Sequence, residues 1–288
     1  MNLVNNYNDL SKVFNKYNIS TIDFTTKLTI VIPENVDTIL QQFMTNIELS
    51  KQHEYVGSLR IDGYNIFNNL RMYNMLLDAT NLANKIMLKS NMSILNSNKD
   101  LLNVWKIFIV DNLMWNLPFT LKDIIFIPLK KMNKSLEINS YYEITKTLIH
   151  ERIHVLQRLN PNEWIDYIYY QNKNWILVEF NTPLFNFIND YNINKLMDQM
   201  IVINPDTVYL NFKYVYKLKN QLYYGIMYLN PDKVVQIQWF KIHDNINNQY
   251  DKENIPFYFE KLDKSIFDYE HPFEEYAYKI SEELTKVN

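Results

Sequence analysis

Residues 148–158 read Leu-Ile-His-Glu-Arg-Ile-His-Val-Leu-Gln-Arg, and no other stretch constrains this chain as strongly. Two histidines stand four apart, with a glutamate after the first. On a helix, residues i and i+4 lie one above the other, so His150 and His154 can aim both imidazoles at one place. The helix is predicted without reference to the histidines. Ser140 with Glu143 three residues on is a capping-box start, and Asn160-Pro161 marks the end. The signals predict a helix over 141–159. Leu148, Ile149, Ile153, Val155 and Leu156 bury it, and buried imidazoles need partners.

Composition decides how such a helix can be housed. The chain has 288 residues, 47% hydrophobic and 21% charged. That supports a real core in one large domain, or in a small element plus a larger domain. The net charge is −3 and Lys and Arg form no long run, so neither nucleic acid nor an anionic membrane is an expected partner. No run of eighteen apolar residues predicts a membrane span. The start has no apolar core of a signal peptide, so no secretion signal is expected and a cytoplasmic location is. With no cysteine, disulfides, thiolate zinc sites and thiol nucleophiles are excluded.

Along the chain, residues 27–36 form a short apolar run and 36–52 read as helix-like. Apolar spacing from Tyr64 to Lys89 predicts a long amphipathic helix. "VWKIFIV" and "KDIIFIPLKKM" read as strands, the second stopped at Pro128. Residues 200–242 alternate Tyr, Val and Ile with polar residues and predict an antiparallel meander. Its Asn-Pro-Asp triplets, 204–206 and 230–232, read as turns. Residues 244–256 read as a polar loop. Pro272 suits a first helical turn, so a C-terminal helix is predicted from about His271. The expected class is α+β, with an N-terminal element over 1–60 packed on a domain over 61–288. That domain includes the β-rich insertion at about 200–242.

His150, Glu151 and His154 match H-E-x-x-H, in which the histidines bind Zn2+ and the glutamate acts as general base. A catalytic zinc needs a third protein ligand. The long form H-E-x-x-H-x-x-G-x-x-H is excluded, because Gln157 stands at the glycine and Asn160 at the last histidine. A glutamate on a later helix is the other common solution. Glu274 lies on the first turn of the C-terminal helix, and Ala277, small and three residues on, lets that helix approach closely. Glu270, Glu275, His271 and His243 are the other candidates.

"LPFTLKDIIFIPL", "TLIHERIHVLQR" and "EHPFEEYAY" together resemble the gluzincin clan of zinc peptidases. The last resembles the E-x-x-A segment of anthrax lethal factor-like peptidases. There is a looser resemblance to zinc peptidases of giant DNA viruses, which would place the protein in host cytoplasm or virion. The resemblance covers roughly an eighth of the chain. It implies a zincin-like domain with a mixed or antiparallel sheet, an active-site helix carrying the motif and a C-terminal helix carrying the third ligand. It implies Zn2+ on His150, His154 and Glu274, Glu151 as general base, and a protein or peptide substrate. Two residues depart from the pattern. Arg152 stands where an uncharged residue is preferred. Tyr278 stands where relatives place an acid that orients a ligating histidine. Tyr269, His271, Tyr276 and Tyr278 are candidates to stabilise an oxyanion. Gln157 and Arg158 can lie near the site, Arg158 either on substrate or an acid, or as a cation at the helix C-terminus. Two rival functions stay open: a zinc-binding structural or interaction protein without catalysis, and a metal-free scaffold with a chance motif.

Overall fold

The computed structural model describes residues 62–64, 69–111, 117–138, 140–190, 200–201, 206, 212–229, 235–244 and 257–286. The expected element over 1–60, most of both Asn-Pro-Asp turns and nearly all of the polar loop lie outside the described residues. Among these residues the protein is mixed α+β, with seven α-helices, one mixed sheet and one antiparallel sheet. They divide into two compact units: residues up to Pro161 with Ala277 onward, and Asn162–Tyr276.

In the first unit, β1 (Asp62–Gly63) and α1 (Leu70–Leu88) precede the short helix α2 (Ser93–Ser97). Helix α1 starts six residues later than its apolar spacing suggested, because the Asn69 side chain caps the Met72 N–H at 3.1 Å. Strands β2 (Lys106–Asp111), β3 (Phe119–Leu121) and β4 (Ile124–Pro128) follow. The sheet runs β1-β2-β4-β3, with β2 and β4 parallel and the outer pairs antiparallel. All five residues of β4 are buried. That explains an unbroken Ile-Ile-Phe-Ile run in place of alternation. Lys122, at φ 54°, turns β3 into β4. Pro128 ends β4, and Leu129–Glu137 forms helix α3.

Helix α4 spans Tyr141–Leu159, as its caps predicted. Ser140 Oγ accepts from the Glu143 N–H at 3.3 Å. The Ser140 N–H donates to Ser135 O at 2.9 Å, so the preceding helix end supplies the acceptor that a full capping box would draw from Glu143. Helix α4 packs on α1, whose buried face carries Met72, Met75, Leu76, Ala79, Ala83 and Ile86.

In the second unit, helix α5 (Pro161–Gln171), strand β5 (Trp175–Val178) and helix α6 (Pro183–Asp190) lead into the sheet. Strands β6 (Met200–Ile201), β7 (Lys213–Leu218), β8 (Gln221–Leu229), β9 (Val235–Asp244) and β10 (Phe257–Lys261) complete it. The order is β10-β9-β8-β7-β5, all antiparallel, with β6 also on β8. This is the expected meander. Its core joins Val178, Phe185, Val215, Phe240, Ile242 and Phe259. Gly225 on β8 is needed for close approach: a Cβ there would meet Glu270 Cα at 3.1 Å and Trp239 at 3.2 Å. Helix α7 (Pro272–Thr285) follows, and from Ala277 on it belongs to the first unit.

Candidate metal centre

Helix α4 brings the two motif histidines together as its pitch requires. His150 Nε2 and His154 Nε2 are 3.1 Å apart, with ring centroids 4.7 Å apart. His154 is fully buried, and its Nδ1 lies 2.8 Å from Gln157 Oε1, one turn on. Gln157 is itself buried, at 1% exposure. Glu151 is buried on the same helix.

Helix α7 runs antiparallel to α4 along the first unit. Tyr142 Oη donates to Thr285 O at 3.2 Å, and Lys146 Nζ meets Glu282 Oε1 at 3.3 Å. Next, the Tyr278 ring lies 4.3 Å from the His150 ring, tilted by 58°. Partners on α4 step forward by four while those on α7 step back by three or four, which is one face of each helix. Glu274 is four residues before Tyr278, about 6 Å along the same helix. Ligand atoms of His150, His154 and Glu274 all lie within 4.8 Å of one another. Among the described residues this is the group of histidines and acids placed to hold a metal ion.

The donor set, two imidazoles and one carboxylate, is one that could hold a divalent metal ion. Two imidazole nitrogens at about 2.0–2.1 Å from a tetrahedral ion are about 3.3 Å apart, close to the observed spacing.

The other candidates for third ligand are engaged elsewhere. Glu275 is 1% exposed; it accepts from Trp175 Nε1 at 2.5 Å and Asn172 Nδ2 at 3.5 Å. His271 Nδ1 accepts from the Phe273 N–H at 3.2 Å, and its ring meets Tyr214 edge-on. His243 hydrogen-bonds Glu260 and stacks on Tyr258. Glu270 precedes α7, with its backbone against Gly225.

Arg152 and Arg158 serve the scaffold. Arg152 is buried, donates to Leu101 O and covers the Trp105 ring at 5.2 Å. Burial lowers its guanidinium to about 10. Arg158 donates to Lys122 O at 2.6 Å and Thr120 Oγ1 at 2.9 Å, so it ties the β3–β4 turn to the end of α4. This clamp is a further engagement of Arg158, beside the substrate and dipole roles that its position suggests. Lys131 on α3 is a residue that no sequence signal marked. Burial pushes its ammonium down, and the nearby charge of Glu151 opposes that shift. Of the four oxyanion candidates, Tyr278 packs its ring on that of His150. Tyr276 packs on Tyr167, and Tyr269 on Phe267. Burial, helped by Glu275, raises the Tyr276 phenol.

No protein family, curated protein or solved structure matches the chain. No helix among the described residues is long and apolar enough to cross a membrane.

Proposed function

We propose that this chain is a zincin-like zinc peptidase of the gluzincin type. The observation that carries the reading is the convergence of His150, His154 and Glu274 within 4.8 Å, with Glu151 adjacent on the motif helix. His150, His154 and Glu274 would hold the ion. Bound there, zinc would supply Lewis-acid polarisation of the scissile carbonyl and of the attacking water. Glu151 takes a proton from that water and delivers it to the leaving amine. Its burial, at 3% exposure, keeps the carboxylate away from bulk solvent. The substrate is a protein or peptide.

A second reading, a zinc-binding protein without catalysis, is favoured by one residue. Tyr278 lays a ring against His150 where the clan places an acid. Turnover of a peptide library separates the two. The peptidase reading expects zinc-dependent cleavage that falls by about 100-fold or more in Glu151→Gln, in the range for loss of a general base. Zinc bound without Glu151-dependent cleavage would establish the second reading.

A further inference from the structure

We infer that Gln157 is the positioning residue for His154, and that it sets the imidazole tautomer through a neutral acceptor built into the same helix. The inference rests on the metal reading above and extends it to the group behind the ligand. His154 is 0% exposed and Gln157 1% exposed, so water does not compete for their contact. Gln157 Oε1 stands 2.8 Å from His154 Nδ1. With a carbonyl oxygen as partner, Nδ1 carries the hydrogen and donates it. The lone pair of the neutral ring then sits on Nε2. That is the atom facing His150 Nε2 at 3.1 Å. It is therefore the nitrogen available to an ion held by this group.

The spacing gives the pair a particular character. Residues three apart on α4 are neighbours on one face, so ligand and positioning group sit on one rigid element. The contact that sets the ligating tautomer of His154 lies within α4. An amide holds the ring without adding a third carboxylate to a site that already contains Glu151 and Glu274. The buried position after the motif is thus used for orientation, where the longer H-E-x-x-H pattern has its glycine.

The test compares Gln157→Met, which keeps length and bulk and removes the acceptor, with Gln157→Glu, which restores an acceptor. Zinc affinity is read by competition with a chromophoric chelator. The His154 tautomer is read by nitrogen NMR of the metal-free protein. Folding of each variant is checked by circular dichroism. In the wild type His154 should be the Nδ1–H tautomer. In Gln157→Met that preference should be lost and zinc affinity should fall by about 10- to 100-fold, the usual cost of removing such a partner. Gln157→Glu should recover both. If Gln157→Met misfolds, the wild-type tautomer and Gln157→Glu still decide: an Nε2–H His154 in the wild type overturns the proposal. Zinc bound by Gln157→Met as tightly as by wild type, but not by His154→Ala, overturns the proposal and leaves the metal reading standing. A wild type with the Nδ1–H tautomer but no zinc binding overturns the metal reading and the ligand role with it, while the hydrogen bond itself stands.

Discussion

The Tyr278 ring lies 4.3 Å from that of His150, tilted by 58°, at the third step of an antiparallel pairing between α4 and α7. Packing by an aromatic ring restricts the imidazole, and a phenol adds a polar tip. Tyr278→Phe should bind zinc nearly as well as the wild type. Tyr278→Ala frees His150 and should weaken binding by about 10-fold, the lower end for lost support of a ligand. Chelator competition on both variants checks the order.

Neighbouring glutamates on α7 should separate cleanly. Glu275 is buried under Trp175 Nε1 and Asn172 Nδ2. Glu275→Ala leaves the buried indole N–H without its acceptor and should cost about 1–3 kcal/mol of stability. Glu274→Ala should abolish tight zinc binding. Paired denaturant melts and zinc titrations give both numbers.

Arg152 should prove structural. Arg152→Ala removes a charged hydrogen bond to Leu101 O and the cover over Trp105. A loss of about 2–3 kcal/mol is expected from a bond to a charged group plus packing. Urea melts measure it, and zinc affinity of the folded variant should be unchanged.

Gly225→Ala should destabilise the second unit. The added methyl meets the Glu270 backbone at 3.1 Å, and backbone cannot swing aside. Overpacking of this kind costs about 1–3 kcal/mol, visible in the urea midpoint.

Tyr214 carries the pH prediction. It is 3% exposed, its hydroxyl has no hydrogen-bond partner among the described residues, and burial raises its phenol above the ordinary value. A raised folded-state value means a stability contribution present below about pH 10, the unfolded value, and lost as pH rises beyond it. Tyr214→Phe removes an unpaired buried group, so at pH 7 it should be as stable as the wild type or more so. Above pH 10 its stability should fall less steeply. Melts of both proteins across pH 7–11 check the two parts together.

The local parts of this structure were legible because their signals are local. Ser140, Asn160 and Pro161 bound α4, Pro272 starts α7, and alternating Tyr, Val and Ile mark β7 to β9. The 150/154 pairing follows from helical pitch alone. What stayed hidden depends on distant partners. Glu275 meets Trp175 a hundred residues away, and Arg158 reaches Thr120 across the β3–β4 turn. No spacing rule encodes either contact. Lys131 acquires its neighbourhood with Glu151 only through the tertiary fold. The start of α1 was misplaced for another reason: its apolar spacing continues upstream, but Asn69 caps the helix first. Glu274 was legible as one of several acids and histidines near the last helix. The step from Tyr278 on His150 back by one turn is what distinguishes its position.

The most direct test is the zinc content of the purified wild type beside His150→Ala, Glu274→Ala and His271→Ala. About one zinc per chain is predicted for the wild type, as for a three-ligand site. It should be lost in His150→Ala and Glu274→Ala and kept in His271→Ala. Zinc retained in Glu274→Ala, or none in the wild type despite supplementation, would contradict the centre described.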